Sequence, residues 1–171
     1  MSDKPSINEE LSDLFSPEGD DRFTSPLEAR KKAMDYLARR EYGNKELKKK
    51  LASAGFLTEA LEPALEQLVV DGLQSDQRFV EAFVQSRINQ GKGPARIRAD
   101  LVHRSVDESL VDEVLAGAAV DWCELARQAR QKRFGLEHPP DFKEKARQMR
   151  FLQYRGFLPE QIQAAAAPDD E

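Results

Sequence analysis

One short segment occurs twice in this chain, and it constrains the fold more than any other feature. Gly55-Phe56-Leu57-Thr58-Glu59 is answered by Gly156-Phe157-Leu158-Pro159-Glu160. The leucine five places before each phenylalanine, Leu51 and Leu152, matches too. A middle copy keeps that spacing with Leu101 and Val106, but has Ser105 where the others have glycine. Self-similarity at a period of roughly 45–50 residues predicts stacked helical units that share interfaces. A single irregular helical bundle is the alternative that the pattern alone leaves open.

Capping and breaking signals place three helices in each unit. The first unit opens at Ser25-Pro26-Leu27-Glu28, where Ser25 can cap, Pro26 suits the first helical position and Glu28 completes a capping box. Ala29, Ala33, Tyr36 and Leu37 follow at helical spacing. Gly43-Asn44 breaks the run, and Asn44 is expected to cap a second helix with Leu47, Leu51 and Ala54 on one face. Gly55 ends that helix as a left-handed residue would. A third helix carries Leu61, Leu65, Leu68 and Val69 and stops near Gly72. Pro63 requires it to start late, near Glu62, or to bend, because proline offers no N–H to an inner turn.

The same layout then returns. Ser75 or Asp76 caps a helix with Phe79, Val80, Phe83 and Val84 inside, and Gly91-Lys92-Gly93-Pro94 is a tight break. The next helix buries Ile97, Leu101 and Val102. Asp107 caps another with Leu110, Val111, Val114 and Leu115, which Gly117 ends. In the third round Trp122, Leu125, Ala126 and Ala129 share a helix, and residues 134–140 form a longer connection. Asp141 caps a helix with Ala146, Met149 and Leu152, and a short helix runs from Pro159 to Ala165. The expectation is an all-α chain with units at 25–73, 74–117 and 118–167.

Charge divides the chain differently from its total. The formal charge of the whole is −5, yet residues 1–24 hold two basic against seven acidic side chains and the tail at 168–171 adds three acids. Residues 25–167 are therefore left at +3. The polar, acidic segment 1–24 is expected to be a disordered arm, with Leu11, Leu14 and Phe15 able to form one amphipathic turn.

Catalytic signatures are missing. There is no Gly-x-Ser-x-Gly, no His-Glu-x-x-His and no Walker-type phosphate loop. Gly91-Lys92-Gly93 is too short for such a loop and sits between two helices, so it reads as a helix–helix turn. Cys123 is the one cysteine, which excludes a disulfide within the chain and a cysteine-based metal site, and His103 and His138 lie far apart. No apolar run approaches the roughly 18 residues of a membrane span, and the N-terminus lacks the apolar core of a signal peptide. The expectation is a cytoplasmic binding protein that is not an enzyme and uses no cofactor or metal.

The cations show what such a protein would bind. Between Arg87 and Arg104 stand Arg87, Lys92, Arg96, Arg98 and Arg104 against Asp100 alone, a net +4. Arg96 and Arg98 are about 160° apart in helical projection, so one flat patch does not hold both easily. The first unit supplies Arg39, Arg40, Lys45, Lys48, Lys49 and Lys50; the third supplies Arg127, Arg130, Lys132, Arg133, Lys143, Lys145, Arg147, Arg150 and Arg155. Each unit puts its cations around its first two helices, so stacking merges them into a basic stripe suited to a polyanion or an acidic protein groove. A merely solvated charged face is the alternative. There is no aromatic ladder spaced for stacking bases.

Several segments resemble the RecX family, in that family's order: Tyr-Leu-Ala-Arg-Arg-Glu (36–41), Glu-Leu-Lys-Lys-Lys-Leu (46–51), Asp-Gln-Arg-Phe-Val-Glu-Ala-Phe-Val (76–84), Gly-Lys-Gly-Pro-Ala-Arg-Ile-Arg-Ala-Asp-Leu (91–101) and Phe-Leu-Gln-Tyr-Arg-Gly-Phe (151–157). Asp-x-Arg-Phe followed by Gly-x-Gly-Pro-x-Arg-Ile is the specific combination, and the likeness spans residues 25–167. The resemblance implies three tandem three-helix units in a curved, elongated body. It implies a monomer that binds in the groove of the RecA–DNA filament across neighbouring protomers and inhibits the ATPase, strand-exchange and coprotease activities of RecA. Repair, recombination and the SOS response would be restrained in consequence, and contact with single- and double-stranded DNA is implied as well. The candidate contacts are Arg39, Arg40, Lys48, Lys49, Lys50, Arg87, Lys92, Arg96, Arg98, Arg104, Arg130, Arg133, Arg150 and Arg155. The acidic ends lie outside the likeness; charge alone suggests that the arm folds over the basic face until a filament displaces it. Two other functions remain open from the residues: a helical protein that binds nucleic acid directly, and a helical-repeat adaptor with no role at DNA.

Overall fold

The computed structural model describes residues 21–167, and among them the regular structure is entirely helical. Three helices form each unit: α1 (Pro26–Leu37), α2 (Asn44–Ser53) and α3 (Thr58–Val70); α4 (Asp76–Asn89), α5 (Pro94–His103) and α6 (Glu108–Gly117); α7 (Trp122–Phe134), α8 (Phe142–Tyr154) and α9 (Pro159–Ala166). The broad helix-on-helix packing lies within units, above all between α1 and α3 and between α7 and α9. Three separate cores result. The first is built on Ala33, Leu47, Leu51, Leu61 and Leu68, the second on Phe79, Val80, Ile97, Leu101 and Val111, and the third on Ala126, Leu152, Phe157, Ile162 and Ala165. Leu47, Leu51, Leu101 and Leu152 are wholly buried, so trimming any of them to alanine costs about 2–5 kcal/mol.

Local chemistry sets the helix ends. The hydroxyl oxygens of Ser25 and Ser75 accept from the Glu28 and Arg78 amides, and the carboxylates of Asp107, Asp121 and Asp141 cap α6, α7 and α8. Pro26, Pro94 and Pro159 each stand in a first turn, where their missing N–H is not needed. The turn after each second helix is left-handed, at Gly55 (φ 108°), Ser105 (φ 62°) and Gly156 (φ 94°). Ser105 thus holds a glycine's conformation without being one.

Four expectations need correction. Asn44 does not cap α2; Gly43 is the cap residue, and the Asn44 amide donates instead to Oδ1 of Asp76 at 2.8 Å. Of the two courses open to the third helix, the late start near Glu62 is overturned: it starts at Thr58 and runs through Pro63. The bond that Pro63 withdraws would have gone to the Glu59 carbonyl, and both residues lie on the exposed side, where solvent can take it. Val69 is 49% exposed, because the buried stripe ends at Leu68 and the next residue turns about 100° away. Residues 21–24 form a 3-10 turn rather than free arm: Phe23 packs edge-on against Phe56 at 5.4 Å, and its carbonyl accepts from the Leu57 amide. The rest of the expected arm, residues 1–20, and the tail at 168–171 lie outside the described residues.

Candidate functional site

The joints between units carry most of the cations that the structure gathers. At the first joint a buried polar node ties α2 to the start of α4. Gln74, 3% exposed, donates from Nε2 to the Tyr42 carbonyl and to Oδ1 of Asp76, and its Oε1 accepts from Nδ2 of Asn44. Glu46 bridges the same joint: its Oε1 takes Arg40 at 2.6 Å and Arg104 of the second unit at 3.2 Å. Burial opposes the charge on Arg40, but hydrogen bonding and attraction to Glu46 outweigh it and hold the guanidinium above its ordinary pKa. Beside this clasp lies a cleft of about 300 Å³ floored by Phe79 and Phe83 and rimmed by Arg40, Arg87 and Arg104. Arg87 and Arg104 stack on the Phe83 ring at 4.2 and 5.1 Å.

The second joint is made of backbone. The Gly93 amide donates to the Arg155 carbonyl at 2.8 Å, and the Ala95 amide to that of Gly156 at 3.0 Å. The approach is so close that a Cβ on Gly93 would fall 2.4 Å from backbone atoms of Gly156 and Phe157. Arg155 donates to the Gln90 carbonyl at 3.0 Å and stacks on Phe151 at 5.1 Å. Here too a cleft opens, about 570 Å³, with Leu125, Ala129 and Phe151 on its walls and Lys132, Arg133 and Arg155 at its edge.

The other expected contacts are placed otherwise. Arg98 is spoken for: it pairs with Asp112 at 2.7 Å and with Glu108 at 3.3 Å, facing α6. Arg96 faces the third unit, over the Tyr154 ring at 5.5 Å, and pairs with Asp100 at 3.4 Å. The wide separation expected of these two is what the structure has. Lys48 pairs with Glu62, and Lys50 lies over the rings of Tyr36 and Tyr42. Arg130 is 3% exposed and donates to the Glu137 carbonyl and to Gln148, so it braces the inside of the third unit and faces no partner. Arg150 lines a separate hollow with Lys143, Arg147 and His138. Lys92 is half-buried in the α4–α5 turn, while Arg39 and Lys49 are exposed and have no ion pair among the described residues.

Sequence reasoning treated Phe79, Phe83, Leu125 and Ala129 only as core, and missed Glu46 as a bridge. A signal was there. Phe79-Phe83-Arg87 and Leu125-Ala129-Arg133 each continue an apolar stripe into an arginine at steps of four, which sets the guanidinium on the rim of the surface that the stripe buries. Among the described residues no three His, Cys, Asp or Glu side chains come together as a metal ion would need, and no helix is long and apolar enough to cross a membrane.

Comparison with known proteins follows the three units. Models of the first, second and third three-helix domains of RecX match residues 29–68, 75–115 and 120–165. A protein of Halorhodospira halophila named "Regulatory protein RecX" is 47% identical over 139 residues, covering 81% of this chain and 86% of its own. A protein of the same name from Pseudomonas entomophila is 44% identical over 138 residues, covering 81% and 89%. Among solved structures, a crystal structure of regulatory protein RecX superposes with a TM-score of 0.70 at 22% identity, over 95% of this chain and 80% of that one. The crystal structure of RecX from Lactobacillus salivarius gives 0.69 at 18% identity, over 82% and 93%. These structures share the fold of this chain.

Proposed function

The chain belongs to the RecX family, and from that premise we propose that it is a regulatory protein that binds the RecA–DNA filament groove and inhibits RecA. It acts as a cytoplasmic monomer, by occupancy and without a catalytic step. Lying along the groove, it opposes the subunit movements on which ATP turnover, strand exchange and coprotease activity depend, and so restrains repair, recombination and the SOS response. One observation carries this reading: arginines collect in a like manner at both joints of a repeating body, as suits a partner that itself repeats.

The test is the DNA-dependent ATPase of RecA with this protein added below stoichiometry. Inhibition is expected, because one chain spanning several protomers blocks more than its own number. An ATPase unchanged even at equimolar protein would defeat the reading.

A second reading, direct binding to nucleic acid, is favoured by the exposed Arg39, Lys49 and Arg150, which have no ion pair among the described residues. Such binding would lose affinity log-linearly with salt, with a slope set by the phosphates neutralised. Weak dependence on salt would exclude it.

A further inference from the structure

Both joint clefts are built to one plan. Arg87 and Arg133 occupy the same place, one turn beyond the apolar pairs Phe79-Phe83 and Leu125-Ala129. Arg104 and Arg155 correspond as well, each being the residue before the left-handed one, Ser105 or Gly156. Each cleft therefore has an apolar wall, one arginine from the first helix of a unit and one from the end of its second helix.

The charge in these clefts is left incomplete. Glu46 compensates Arg40 and Arg104 jointly at the first. Among the described residues Arg87 has no carboxylate within ion-pair distance, and its Nε is buried with no hydrogen-bond acceptor. At the second cleft Arg155 reaches one carbonyl, and neither it nor Arg133 has an ion pair among the described residues. A guanidinium donor withdrawn from water without an acceptor is costly. Arg133, the counterpart of Arg87, is exposed and keeps its water, but it too lacks an ion pair among the described residues, so both joints present an arginine with no anion beside it.

We propose that the two clefts are paired receptors for carboxylate side chains, glutamate or aspartate, presented by successive subunits of one repeating protein partner. The proposal rests on the filament reading above and names the chemistry of its contacts. A carboxylate is favoured over a phosphodiester by shape. It arrives on a narrow methylene stem that the Phe79 and Phe83 walls can cover, and its two oxygens match the guanidinium fork. A nucleic-acid strand brings sugars on both sides of every phosphate and suits an open ridge of cations.

The test compares Arg87→Gln, Arg133→Gln and the double variant of the full chain with wild type. Binding is measured to RecA filaments on single-stranded DNA and, separately, to the same DNA without RecA. Each single change is expected to weaken filament binding roughly tenfold and the pair roughly a hundredfold, as for charge-assisted hydrogen bonds. Binding to bare DNA and the helical circular dichroism should be unchanged. Equal losses on bare DNA would make the clefts phosphate sites and overturn the proposal. Wild-type affinity in both single variants would overturn it too, leaving the filament reading intact. If wild type itself ignores filaments, both readings fall. Arg133 is exposed, so its variant tests the second cleft even if the half-buried Arg87 proves necessary for folding.

Discussion

Gln74 joins two units with one amide group. Its N–H bonds go to the Tyr42 carbonyl and Asp76, and its oxygen receives Asn44. Gln74→Leu keeps the bulk and leaves the Tyr42 carbonyl without this donor, at a cost of about 1–3 kcal/mol. Urea denaturation should show that loss, and an unaltered midpoint would mean that water replaces the amide. Arg98 gives a pH-dependent counterpart. Its hydrogen bond to Asp112 holds that carboxyl below the ordinary carboxylate value. A carboxyl with a lowered folded pKa stabilises the fold above its unfolded pKa and loses that contribution as pH falls through the folded one. In Arg98→Ala, an NMR titration should find the Asp112 midpoint risen toward the ordinary value. A midpoint that stays low would assign the effect elsewhere.

Individual helices show how far sequence reasoning reaches. The starts of α1, α4, α6 and α8 were legible because serine or aspartate caps act through bonds local in sequence. The start of α2 was not: Asp76, from another unit, takes the Asn44 amide, and no local pattern reveals a partner so distant in the chain. Pro63 misled for a related reason, since propensity prices a lost hydrogen bond without knowing that the bond faces solvent. The cations were legible as a set but not as a site. Arg130 and Arg104 look alike in sequence, yet packing buries the first and brings the second to a neighbouring unit. The α8–α9 turn offers the sharpest test at this scale. Gly156 has φ 94°, and a Cβ there would meet that of Arg96 at 2.3 Å. Gly156→Ala must therefore strain its own turn and push α5 away, costing about 1–3 kcal/mol or more. Thermal unfolding should record it; an unchanged melting temperature would show that the joint yields freely.

Across the molecule the two joints differ in kind. The first is held by side chains, through Glu46–Arg104, Arg78–Glu41 and the Gln74 node, and the second by backbone hydrogen bonds at Gly93 and Ala95. Partly exposed ion pairs weaken as salt screens them, whereas amide–carbonyl bonds do not. With probes on the first and second units, the distance distribution should broaden from low salt to 1 M; with probes on the second and third it should stay narrow. Equal broadening would contradict this division. The separation of the three cores has a further consequence, for how the chain acquires its structure. Every core is assembled from residues near one another in sequence, so folding closes only short loops and the contact order is low. Such an array can nucleate in one unit and spread to the next, and each unit can pack as it leaves the ribosome, before the following one has been made.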